Sequence, residues 1–285
     1  MKIKEYRTQF IQELSPIYGS HEAESFFYLV LELKNKLKKL DLALQPDLVF
    51  SLDDIQLWNS ILDSLKQEIP IQYLLGVTPF YGLDFEVNPA VLIPRSETEE
   101  LVEWIIQSRK ANTETQTKFK ILDIGTGSGC IAIALAKNCS NDEVFAIDIS
   151  EKALATAQKN AQKNGVKVVF LEKNILETDD LFQQFDLIVS NPPYVRILEK
   201  PEIRKNVLDN EPHLALFVSD DDALVFYKKI AALAQKNLSP NGQLFFEINQ
   251  YLGKEMMDLL QKMNFKNIEL RKDIYGNDRM IRAEI

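Results

Sequence analysis

Asn191-Pro192-Pro193-Tyr194 sets a planar amide, two rigid carbonyls and an aromatic ring directly after the apolar run Phe185 to Val189. Two consecutive prolines cannot continue a ladder, so the chain must leave the sheet there, at the carboxyl end of a strand, where open α/β sheets bind ligands. The chemistry these groups suit is work on a planar NH2 group. An amino group conjugated to a carbonyl or a ring is a poor nucleophile, because its lone pair is delocalised. If Asn191 Oδ1 and the Pro192 carbonyl each accept one of its N–H bonds, the lone pair is aimed along the third direction, while Tyr194 holds the planar group by stacking. Asn191, Pro192, Pro193 and Tyr194 are therefore the candidate catalytic and substrate-binding residues. No strong general base is needed, since the proton can leave after the transfer, and the motif holds no side chain suited to be one.

Upstream, Gly125-Thr126-Gly127-Ser128-Gly129 follows the apolar Lys120-Ile121-Leu122-Asp123-Ile124 and precedes a small-residue helical stretch. A glycine-rich turn between strand and helix lets backbone approach a ligand and offers N–H donors. It lacks the Lys-Ser/Thr of a phosphate-cradling loop, and Cys130 stands where the dinucleotide fingerprint has its third glycine. Asp148 closes the next apolar run, about twenty residues on, where a carboxylate accepts both hydroxyls of a ribose. An adenosine ligand without pyrophosphate suits this pair. S-adenosylmethionine fits: its amino-acid part can use the N–H groups of Gly125 to Gly129, its amine an acid such as Asp123, and its nucleoside Asp148 with Ile149. The bland alternatives, loop punctuation for Asn-Pro-Pro and a helix-flanking acid for Asp148, do not account for this placement along the chain.

The elements that must hold these groups follow from periodicity. Residues 1–75 read as helices: Ile3, Tyr6, Phe10 and Leu14 share one face; Ala23, Phe26, Phe27, Val30, Leu33 and Leu37 follow an N-cap at Ser20; and Ser51 to Asp54 form a capping-box variant before Ile55, Trp58, Ile61, Leu62 and Leu65. Residues 76–95 read as a hairpin linker in which Tyr81, Leu83, Phe85 and Val87 alternate and Val91-Leu92-Ile93 returns as the partner strand. The third segment, 96–285, opens with a capping box at Ser96 to Glu99. After a polar loop from Ala111 to Lys118, it alternates strand and helix, which predicts a parallel sheet covered on both faces. Its strands are expected at 120–124, 144–148, 166–171, 185–189, 243–248, 268–271 and 280–285, with helices capped by Ser150 and Asp222.

Composition narrows the function classes. A net charge of −9 and pI near 5.0 argue against a protein that grips nucleic acid by its phosphates. No apolar run is long enough to cross a membrane and no signal-peptide core opens the chain, so no membrane partner is expected. Two cysteines, Cys130 and Cys139, without an export signal point to a reducing, cytoplasmic setting, and no Cys/His cluster has metal-binding spacing.

Along nearly its whole length the chain resembles the HemK/PrmC protein-(glutamine) methyltransferases that modify peptide chain release factors. The resemblance rests on Pro70-Ile-Gln-Tyr-Leu-Leu-Gly76, Phe80-Tyr-Gly82, Leu92-Ile-Pro-Arg95 with Glu97-Thr-Glu99, Asp123-Ile-Gly-Thr-Gly-Ser-Gly129, Asn191-Pro-Pro-Tyr194, Glu211-Pro212 and Asp273-x-x-Gly-x-Asp278-Arg279. The glycine loop and NPPY are shared with many methyltransferases; the remaining blocks are more specific. The resemblance implies a Rossmann-like, seven-stranded class I S-adenosylmethionine-dependent methyltransferase domain behind a helical domain that helps dock the substrate protein. The chain is expected to act as a monomer and, from its acidic charge, to make no direct contact with nucleic acid. The implied reaction is methylation of the glutamine in the release factor's Gly-Gly-Gln motif, with S-adenosylhomocysteine as product. It also places Asn174 and Ile175 beside the adenine, where the family commonly has an acid followed by an aromatic, and Asn249 where a glycine is usual. Two rival readings are an amino-group methyltransferase acting on adenine or guanine in nucleic acid, disfavoured by the acidic charge, and a non-catalytic S-adenosylmethionine-binding protein, which has no need of NPPY.

Overall fold

Alternation within the strands decides the architecture of the catalytic region. In the computed structural model, which describes residues 1–111 and 118–285, the neighbours Ile121/Leu122, Leu187/Ile188 and Phe245/Phe246 send their side chains into two separate cores, one on each face of a single sheet. The segment 112–117, most of the polar stretch expected as a loop, lies outside the described residues. Among the described residues no helix is long and apolar enough to cross a membrane.

The chain divides into two compact units, Met1–Gly76 with Lys205–Asn210, and Val77–Arg204 with Glu211–Ile285. In the first, the helices Ile3–Tyr18, Ser20–Val30 and Leu52–Lys66 bury Tyr6, Phe10, Phe27 and Trp58 against one another, with Trp58 at 4.8 Å from Phe27 centroid to centroid. Ser51 caps the third helix, its hydroxyl accepting from Asp54 N–H. Ser20, expected as a cap, is instead the first helical residue: Gly19, at φ +81°, turns the chain within one residue. The second helix ends in a π-helical turn, Leu31–Asn35, closed by Lys36 in the left-handed region. The short helix Lys205–Asn210 belongs to this unit, with Asn210 Nδ2 donating to the Glu68 carbonyl.

The strands of the second unit are β1 Val77–Phe80, β2 Leu83–Glu86, β3 Lys120–Ile124, β4 Glu143–Asp148, β5 Val169–Glu172, β6 Phe185–Ser190, β7 Val195–Arg196, β8 Phe217–Val218, β9 Leu238–Glu247, β10 Lys266–Lys272 and β11 Asp278–Glu284. The main sheet has seven strands in the order β10-β11-β9-β6-β3-β4-β5, parallel except for β11. From β3 the chain moves outward to β4 and β5, then crosses back to β6 on the other side. The carboxyl ends of β3 and β6 are thus the topological switch point.

Several local expectations are corrected. The hairpin is β1 with β2, joined by Tyr81 and Gly82, both at positive φ as a tight two-residue turn requires, so Val91 to Ile93 is not a partner strand. It falls inside the second unit. At the start of the helix Ser96–Ala111, Glu99 accepts from the Tyr81 N–H and Thr98 turns its hydroxyl inward to Glu247, so both residues serve contacts beyond their own helix. Asp222 ends a 3-10 turn, and the helix Val225–Asn237 begins after Leu224. The third parallel strand starts at Val169, later than 166.

Candidate active site

At the switch point lies a cavity of about 350 Å³. Of the expected cofactor residues, Gly125, Gly127, Asp148, Ile149, Asn174, Ile175 and Asn191 line it; so do Pro192 and Pro193. Asp123, Thr126, Ser128, Gly129 and Tyr194 do not line it.

The loop after β3 explains that division. Gly125, Gly127 and Gly129 all adopt positive φ. At Gly125 and Gly127 a Cβ would meet nothing within 4 Å, whereas at Gly129 it would stand 2.9 Å from Ile133 Cδ1 and 3.0 Å from Ala157 Cβ. The first two glycines thus bring backbone to the cavity, and the third lets the helices Cys130–Asn138 and Glu151–Asn164 approach each other. The N–H groups of Gly125 and Thr126 donate to the Ile147 carbonyl, that of Gly129 to Thr126, and that of Gly127 to Asp148 Oδ2. These donors, expected to face a ligand, hold the loop's own shape.

Asp123 sits fully buried at the end of β3, one oxygen accepting from Thr126 Oγ1 at 2.6 Å and the other without a hydrogen-bond partner among the described residues. Burial pushes its carboxyl up to about 7. Asp148, at the cavity, accepts from Gly127 N–H on Oδ2 and from Ser150 N–H on Oδ1. Each oxygen keeps lone-pair capacity for a further donor.

The Asn-Pro-Pro-Tyr segment is supported from behind by residues that motif reasoning did not assign. Strands β6 and β9 run in parallel register, Ser190 opposite Phe246, which sets Asn191 beside Glu247. Glu247 is buried, and its carboxylate accepts from Thr98 Oγ1 at 2.6 Å and from the Tyr194 hydroxyl at 3.1 Å. Burial raises the Glu247 carboxyl, while Thr98 and the positive charge of Arg279 oppose the rise. Burial likewise holds the Tyr194 phenol protonated, so it stays a donor. Arg279 is held in turn by Asp273 at 3.0 Å, which gives the C-terminal Asp-Arg block a structural purpose. Asn249 Nδ2 donates to the Tyr194 carbonyl. A sequence signal for Glu247 existed: it is an acid closing the buried run Gln243-Leu-Phe-Phe246.

The cavity's outer wall, Ala90 to Leu92, is fastened by Glu211, whose carboxylate takes the Ile93 N–H at 3.1 Å and the Arg95 guanidinium at 2.5 Å. Two of the sequence blocks, Leu92 to Arg95 and Glu211-Pro212, are thus one contact.

This sheet order, with a glycine loop and Asn-Pro-Pro-Tyr at its switch point, is the architecture of a Rossmann-like class I S-adenosylmethionine-dependent methyltransferase. Residues 108–212 match the family model of the methyltransferase small domain. A solved methyltransferase from Pyrococcus furiosus superposes with a TM-score of 0.52, at 18% identity, over 72% of this chain and 90% of that one, a likeness of fold alone. The chain is 64% identical to a release factor glutamine methyltransferase of Flavobacterium psychrophilum over 99% of both chains, and 42% identical to one of Bacteroides thetaiotaomicron over 95% of this chain and 96% of that. It belongs to the release factor glutamine methyltransferase family.

Proposed function

We propose that this protein transfers the methyl group of S-adenosylmethionine to the side-chain amide nitrogen of the glutamine in the Gly-Gly-Gln motif of peptide chain release factors, supporting translation termination. The single observation that carries this reading is the convergence of Asn191 and Pro192 with Gly125, Gly127 and Asp148 on one cavity. The names of relatives that match along the whole chain support the substrate.

The cavity's chemistry fits the cofactor. Asp148 would take the ribose hydroxyls on the lone pairs its backbone donors leave, Ile149 and Ile175 would flank the adenine beside Asn174, and Gly125 with Gly127 would admit the amino-acid part. Asp123, Thr126, Ser128 and Gly129 would act by shaping the loop. When bound, the cofactor supplies an electrophilic sulfonium methyl.

Asn191 Oδ1 and the Pro192 carbonyl would accept the two N–H bonds of the glutamine amide and so direct its lone pair at that methyl. Oriented positioning of this kind contributes on the order of 7 kcal/mol or more. Both acceptors gain strength as the nitrogen becomes positive, which favours the transition state over the bound substrate. Tyr194, expected to stack on the amide, does not line the cavity; it would act from behind, its hydroxyl tied to Glu247 and its backbone holding the Asn-Pro-Pro turn in place. The excess proton then leaves to water.

The test is mass spectrometry of a purified release factor and its Gln-to-Ala variant after incubation with this protein and S-adenosylmethionine. One added methyl on the Gly-Gly-Gln glutamine, absent in the variant, is expected. No methylation despite bound cofactor would overturn the reading and turn attention to other amino-group substrates.

A further inference from the structure

Asn191 can serve the proposed reaction only if its carbonyl oxygen, not its NH2, faces the substrate amide, because two NH2 groups present only donors to each other. The residues behind it fix that choice. Asn191 Nδ2 lies 3.4 Å from Thr98 Oγ1, and Thr98 Oγ1 lies 2.6 Å from Glu247 Oε2. Thr98 and Glu247 are both buried, and Thr98 has a single hydroxyl proton. A carboxylate oxygen beside it takes that proton as its hydrogen bond, because a charge-assisted bond is the stronger one. Thr98 is then left only with lone pairs on its other side, and an oxygen lone pair can be met by Asn191 Nδ2 but not by Oδ1. The amide oxygen is therefore turned the other way, to the cavity that Asn191 lines.

We propose that Glu247 and Thr98 are positioning residues for methyl transfer: the carboxylate orders the Thr98 hydroxyl, and the hydroxyl orders the Asn191 amide so that Oδ1 is the group offered to the substrate. The same carboxylate holds the Tyr194 hydroxyl on its second oxygen, so one buried acid sets both ends of the Asn-Pro-Pro-Tyr segment. Neither residue touches the reacting atoms. The inference rests on the functional reading above, and its structural half is open to measurement without any substrate.

The experiment compares wild type with T98V, T98S and E247Q. T98V keeps shape and removes the hydroxyl; T98S keeps the hydroxyl; E247Q replaces an acceptor-only group by one that can donate to Thr98 and so reverse its bond. In T98V and E247Q the rate constant for methylation of a release factor should fall on the order of 100-fold, as expected for a misaligned reacting group. KM for the release factor and the affinity for S-adenosylhomocysteine by calorimetry should stay within about threefold. T98S should recover most of the lost rate. In the substrate-free protein, the side-chain amide protons of Asn191, assigned in a 1H–15N spectrum by their loss in N191D, should shift in T98V and return toward wild type in T98S. A wild-type rate in a folded T98V, or equal loss in T98V and T98S, would overturn the proposal, the second by assigning Thr98 to packing. If wild-type protein methylates no release factor, the functional reading fails instead, and the Asn191 spectrum alone decides whether Thr98 and Glu247 order the amide.

Discussion

Asn191 is the residue whose loss should separate chemistry from binding. In the proposed reaction its side chain would aim the substrate amide, whereas Asp148 and the loop after β3 would hold the cofactor, so N191A should abolish transfer and leave cofactor affinity nearly unchanged. Calorimetry alongside the methylation assay checks this, and parallel loss of both would remove the assigned role. Asp123 carries a pH signature. Its carboxyl is pushed up to about 7 in the folded chain by burial, against about 4 in an unfolded one. The folded state therefore holds this proton more tightly. The stability tied to it is complete below about pH 4, declines as the pH rises toward 7 and is gone above that, a difference of up to about 4 kcal/mol. D123N does not titrate, so its melting temperature relative to wild type should rise between about pH 5 and pH 8. A constant difference over that range would show that Asp123 does not titrate there.

At the scale of elements, the three glycines after β3 do different jobs. G129A forces a methyl against Ile133 and Ala157 at a left-handed φ, and should cost about 3 kcal/mol through strain and overpacking. G125A meets no neighbour in the protein and should cost about 1 kcal/mol from its φ alone, but its methyl enters the space proposed for the cofactor and should weaken binding there. Thermal melts paired with cofactor titrations distinguish the two; similar profiles for both variants would contradict this division. The cavity wall makes a second element-scale prediction. E211Q weakens the hold on Ile93 and Arg95 at once, and should cost about 2 kcal/mol together with a loss of cofactor affinity as Ala90 to Leu92 loosens. Unchanged affinity would mean that the wall needs no such fastening.

At the scale of the molecule, the chain leaves the catalytic unit after Arg204, contributes Lys205–Asn210 to the helical unit and returns at Glu211. A fragment beginning at Val77 keeps the seven-stranded sheet and both of its cores but deprives that helix of its ion pair and hydrogen bond to Glu68. Limited proteolysis of the fragment should cut within 205–210 while the sheet domain survives; protection of the segment equal to that in the whole chain would refute this. The acidic balance of the whole molecule, −9, disfavours the rival reading in which the amino group belongs to a nucleic acid base.

Much was legible from residue order alone. Alternating strand and helix patterns from Lys120 onward define a parallel sheet, because a strand buried on both faces must be apolar throughout and a crossover must be helical. Prolines 192 and 193 end β6 in any context, and glycines followed by an acid about twenty residues later mark a nucleoside site for local reasons. What needed the tertiary structure was every contact made across the sheet. Glu247 meets Tyr194 because β9 lies beside β6, it meets Thr98 because the helix Ser96–Ala111 packs on β9, and Glu211 meets Arg95 across a sequence distance that no periodicity spans. The same packing brought Glu99 to the Tyr81 N–H and engaged the loop's N–H groups within the protein. Sequence fixes which hydrogen-bonding groups are present and how they space along one element; only the fold decides which of them meet, because a buried donor or acceptor must take whatever partner the neighbouring element brings within reach.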